Sequence, residues 1–79
     1  MVFKRKDWQK RARSVLSRSR QWSYGKLADV LKCSKSTVWN ILNRAKTNIT
    51  IEDMLLISRI LDINPLDYIV RDEVQLELL

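Results

Sequence analysis

Between Ser34 and Arg44 the chain reads SKSTVWNILNR, and Lys35, Ser36, Trp39, Asn40 and Asn43 recur three or four residues apart. A helix over this segment carries all five on one side, and Val38, Ile41 and Leu42 fall on the other. The chemistry open to such a face is recognition by hydrogen bonds, not bond-making. A lysine donates to guanine O6 and N7, an asparagine pairs with adenine N6 and N7, and a serine reads either less selectively. The plain alternative for Lys35 and Ser36 is a solvated first helical turn. The indole of Trp39 can meet a thymine methyl or a sugar, anchor a protein partner, or fold back over a following helix.

A helix presented this way must be held by another. The stretch LADVLKCSKSTVWNI, residues 27–41, begins as an amphipathic helix, breaks at Lys32-Cys33-Ser34 and restarts. Ser23 is the expected cap of the first of these two helices, which is predicted over residues 24–32, and Ser34 the cap of the second. Leu27, Ala28, Leu31, Cys33, Val38 and Ile41 stand where two steeply crossed helices must touch. The small side chain of Ala28 allows close approach, and Cys33 fills the corner as a small hydrophobe. The result is a helix-turn-helix whose second helix has the character of one that enters a DNA major groove.

Around this unit, Trp8, Ala12, Val15 and Leu16 make one buried stripe of an earlier helix, expected to be capped by Asp7 and to end near Ser17 or Ser19. Its other face carries Lys10, Arg11, Arg13 and Arg18. Val38, Ile41, Leu42 and Ala45 are expected on the buried side of the third helix. After a polar connection, Thr50 with Asp53 starts a fourth helix whose Ile51, Met54, Leu55, Ile57, Ile60 and Leu61 mark it as central. Asn64-Pro65-Leu66-Asp67 starts a short fifth helix with Leu66, Ile69 and Val70 inward. The expected organisation is a basic arm over residues 1–6, a helical domain over 7–70, and a tail over 71–79 compatible with a strand, a helix continuation or a dimer contact.

Composition narrows the function. The 79 residues hold one Gly and one Pro, which favours helices joined by short turns over a turn-rich β fold. The lone Cys33 excludes an internal disulfide and points to a reducing, cytoplasmic setting. There is no His, no nucleophile–base pair, no phosphate loop and no metal cluster, so neither an enzyme nor a cofactor is expected. No apolar run approaches membrane-spanning length. Charge is segregated: residues 1–48 carry +11 and residues 49–79 carry −5, giving the net +6. A strongly positive first half gains steering and phosphate contacts from a polyanion.

Residues 23–69, SYGKLADVLKCSKSTVWNILNRAKTNITIEDMLLISRILDINPLDYI, resemble the Cro/repressor-type, XRE-like or lambda-repressor-like helix-turn-helix proteins of phages and their bacterial relatives. The joint register of the caps, the Leu-Ala pair, the Ser-Lys-Ser-Thr turn and the Leu-rich fourth helix carries the resemblance. The chain departs from that pattern at Tyr24, where the family usually has Gln, and at Lys32, where it has Gly. A left-handed backbone at Lys32 would cost about 1 kcal/mol against Gly. The resemblance implies an all-α, compact five-helix fold and a sequence-specific transcriptional regulator, a Cro-like repressor binding double-stranded DNA. Lys35, Ser36, Trp39 and Asn40 would read bases. Ser23, Tyr24, Thr37, Asn43, Arg44 and Lys46 would contact phosphate. A homodimer would use the fifth helix and tail, through Ile69, Val74, Leu76, Leu78 and Leu79. The competing expectations are an antirepressor or antitoxin-like module that binds another protein through Trp39, and a general nucleic-acid coat.

Overall fold

The computed structural model describes residues 2–45 and 48–70. Four α-helices follow a two-residue strand: β1 Val2–Phe3, α1 Arg5–Arg18, α2 Tyr24–Leu31, α3 Lys35–Asn43 and α4 Ile51–Ile60. A 3-10 turn, Pro65–Tyr68, leads into β2, Ile69–Val70. The two strands pair antiparallel, Val2 with Val70 and Phe3 with Ile69.

Three helices start where a polar side chain can cap them. The hydroxyls of Ser23, Ser34 and Thr50 accept from the amides of Lys26, Thr37 and Asp53 at the heads of α2, α3 and α4. Asn64 does the same for the 3-10 turn, accepting from Leu66 N. The ends of α2 and α4 share a second device. Cys33 N donates to Ala28 O, and Lys32 N to Asp29 O. Ile63 N likewise donates to Ser58 O, and Asp62 N to Arg59 O. These are Schellman closures, which require a left-handed residue just past the helix. Lys32 and Asp62 supply it, at φ 56° and 58°, with no glycine at either site.

The core is built by Trp8, Ala12 and Leu16 of α1, Leu27 and Ala28 of α2, and Val38, Ile41 and Leu42 of α3, closed by Met54, Ile57, Leu61 and Ile63. α3 packs against both α1 and α2. α1 and α4 are tied by Trp8, whose Nε1 donates to Ser58 Oγ at 2.8 Å with both side chains fully buried.

Several expectations are corrected. The fifth helix is a 3-10 turn. The β-branched Ile69 and Val70 gain ladder bonds by pairing with β1, which ends the helical path after Tyr68. The same pairing alters the basic arm. Lys4 N donates to Tyr68 O at 2.7 Å, and α1 begins at Arg5, so Asp7 lies in its first turn and does not cap it. α4 buries Met54, Ile57 and Ser58, but Ile51 and Leu55, two of the apolar residues that marked it as central, are exposed, and α3 is the helix that packs against both α1 and α2. Leu66, Val70 and Ala45 are also exposed, and Tyr68 packs on the core where Leu66 was expected. The expected tail over 71–79, with Val74, Leu76, Leu78 and Leu79, lies outside the described residues.

Candidate nucleic-acid interface

α3 presents its polar side outward. Lys35, Ser36, Thr37 and Trp39 are exposed, and Asn40 is partly buried. Trp39 keeps 48% of its surface and does not fold back as core. On the opposite side Val38 and Leu42 are fully buried. No acidic side chain occurs between Asp29 and Glu52, so the corner, α3 and the residues after it bear only positive charge.

Of the phosphate candidates, Ser23 and Arg44 are exposed, Tyr24 and Asn43 are partly buried, and Lys46 lies outside the described residues. Ser23 and Thr37 already belong to helix caps: Ser23 Oγ accepts from Lys26 N, and the Thr37 hydroxyl lies 2.8 Å from Ser34 Oγ. Asn43 is committed differently from expectation. Its Nδ2 donates to Tyr24 Oη at 3.1 Å and to Trp39 O at 2.9 Å, which uses both of its N–H groups. Asn43 therefore braces α3 to the head of α2. Tyr24 accepts in that bond and keeps its own hydroxyl proton for an outside acceptor such as a phosphate oxygen. Arg13, Ser17, Trp22, Ser23 and Tyr24 line a groove between the end of α1 and the head of α2.

Two residues position α3 without having been expected to do so. Gln9 is buried, and its Nε2 donates to Ile41 O at 2.8 Å and Arg44 O at 2.9 Å. Arg13, expected on the solvent face, donates from Nη1 to Leu42 O at 3.1 Å. A cation at a helix C-terminus is also favoured by the helix dipole. The signal for Gln9 was its register: it stands three residues before Ala12 and seven before Leu16, on the buried stripe. A polar side chain there must find partners.

Cys33 packs against the core at the corner between α2 and α3. Burial, with the Asp53 carboxylate adding to it, raises its thiol pKa above the ordinary value, so the sulfur stays protonated at neutral pH and behaves as a filler, not a nucleophile.

No helix among the described residues is long and apolar enough to cross a membrane. No curated protein and no solved structure matches the chain. Residues 5–50, more than half of it, match the family described as the homeodomain-like domain. That span begins with α1 and runs through α2 and α3 to the cap of α4, the three-helix arrangement in which the last helix reads DNA. With its two crossed helices, open polar face and family match taken together, the chain belongs to the homeodomain-like helix-turn-helix family of DNA-binding domains.

Proposed function

We propose that this protein is a sequence-specific transcriptional regulator that lays α3 in the major groove of operator DNA and acts without enzymatic chemistry. The observation that carries the reading is the outward polar side of α3 on a helix whose other side is fully buried. Lys35 donates to guanine O6 and N7, Asn40 pairs with adenine, Ser36 reads beside them, and Trp39 covers a thymine methyl or sugar. Tyr24, Ser23, Thr37 and Arg44 meet phosphates, and the positive first half supplies the salt-dependent share of affinity. The narrower role, a Cro-like repressor of a phage or mobile-element switch that denies a promoter to polymerase, rests on the resemblance over residues 23–69. A two-fold operator would then be met by a homodimer through the region of the 3-10 turn, where Leu66 and Val70 offer exposed apolar surface. The setting proposed is the reducing cytoplasm, where a free cysteine is stable.

The rival, a protein-interaction module, has the exposure of Trp39 in its favour. Selection of bound duplexes from a random-sequence pool separates the two. DNA reading predicts an enriched sequence, binding that weakens steeply with salt, and a Lys35→Ala variant that loses about tenfold in preference for that sequence while affinity for unselected DNA falls far less. Equal losses on both duplexes contradict base reading by Lys35. No enriched sequence, with a tight protein complex that buries Trp39, supports the rival.

A further inference from the structure

The last carbonyls of any α-helix lack partners within the helix and must find them elsewhere. α2 and α4 solve this with their own backbone, through the Schellman closures at Lys32-Cys33 and Asp62-Ile63. α3 does not. Arg44, the residue just past it, is extended at φ −90° and ψ 132°, and its amide closes only onto Asn40 O. The carbonyls of Ile41 and Leu42 are taken by side chains of α1: Gln9 Nε2 holds Ile41 O together with Arg44 O, and Arg13 Nη1 holds Leu42 O. Gln9 is the larger of the two polar side chains among the buried residues described, and both N–H groups of its amide are spent on these two carbonyls.

From this arrangement we propose that Gln9, supported by Arg13, is a specificity-determining positioning residue. It touches no base, yet it sets the rotation of α3 and the exit of the chain at Arg44, and so decides how accurately Lys35, Ser36 and Asn40 meet base edges. This rests on the DNA-reading function proposed above. A rotation of α3 by about 10° moves a side-chain tip at the rim of the helix by roughly 1 Å, enough to leave the narrow window of a good hydrogen bond. Phosphate contacts from a broadly positive surface tolerate such a shift, because they depend on charge more than on pose.

The test uses the full chain and two duplexes of equal length, one enriched by selection from a random-sequence pool and one drawn from the unselected pool. Gln9→Met keeps the volume and removes the donors. The expected result is a roughly tenfold loss of the enriched-to-unselected affinity ratio, with affinity for unselected DNA within about twofold of wild type. Hydrogen exchange at the end of α3 should rise while that of α4 stays unchanged. Arg13→Lys is the milder variant should Gln9→Met fail to fold; it keeps a charge but loses the fork, and a smaller loss of the same ratio is expected. Ile57→Val loosens the core from the side of α4 and leaves the bonds from Gln9 and Arg13 to the end of α3 in place, so the ratio should be unchanged. A folded Gln9→Met protein with wild-type discrimination overturns the proposal. So does an equal loss in Ile57→Val, which would make it a matter of general stability. A wild-type chain that itself shows no discrimination sinks the DNA-reading function and takes this inference with it.

Discussion

The segment from α1 to α3 and the segment from α4 to β2 bury apolar side chains in one core, but they are held by different means. In the first, polar side chains lock the helices to one another: Gln9 and Arg13 reach from α1 to the end of α3, and Asn43 reaches from α3 to Tyr24 at the head of α2. In the second, α4 and the 3-10 turn rest on the core by apolar burial, β2 pairs with β1 ahead of α1, and Ile51, Leu55, Leu66 and Val70 stay exposed. Apolar contact is non-directional and fixes proximity, whereas hydrogen bonds of good geometry also fix orientation. The difference indicates that the first segment is built to hold a helix in a defined pose, and the second to give it a stable back.

Trp8 spans the two segments, and its removal should have the largest effect on how they hold together. Its ring meets Phe3 edge-on at 5.8 Å, and its Nε1 bonds Ser58 across the core. Trp8→Ala should cost about 3–5 kcal/mol, and helical signal should disappear in a single urea transition. A biphasic transition, with one half melting first, would mean that the halves are separate cooperative units.

Each segment also has one left-handed residue at the same place in the same motif, Lys32 after α2 and Asp62 after α4. Lys32→Gly should stabilise by about 0.5–1 kcal/mol, the relief of left-handed strain less the added freedom of the unfolded chain. Asp62→Gly should gain only a few tenths of a kcal/mol, roughly, because Asp tolerates this region better than Lys. Denaturant midpoints check both. A Lys32→Gly variant that loses stability would show that the corner between α2 and α3 depends on the lysine for something beyond its backbone.

Local chemistry was legible in the sequence where a residue acts on its own neighbours. Ser23, Ser34, Thr50 and Asn64 all cap as their positions imply, and the break at Lys32-Cys33-Ser34 stands where the polar run interrupts the apolar stripe. What escaped depends on partners far along the chain. The start of α1 and the loss of a fifth helix both follow from pairing Val2–Phe3 with Ile69–Val70, which no local pattern announces. Arg13 looks like one more basic residue on a charged face until the carbonyl of Leu42 is placed beside it. Among the candidate site residues, the exposure of Lys35, Ser36 and Trp39 followed from helical periodicity, whereas the commitment of Asn43 to Tyr24 needed the crossing of two helices.

The most direct test follows amide chemical shifts of the full chain as a selected duplex is added. With α3 in the major groove, the largest changes run from Lys35 to Asn40, with smaller ones at Ser23, Tyr24 and Arg44 and almost none from Ile51 to Leu55. Changes centred on Ile51, Leu55 and Leu66 with the amides of α3 unmoved would contradict that placement.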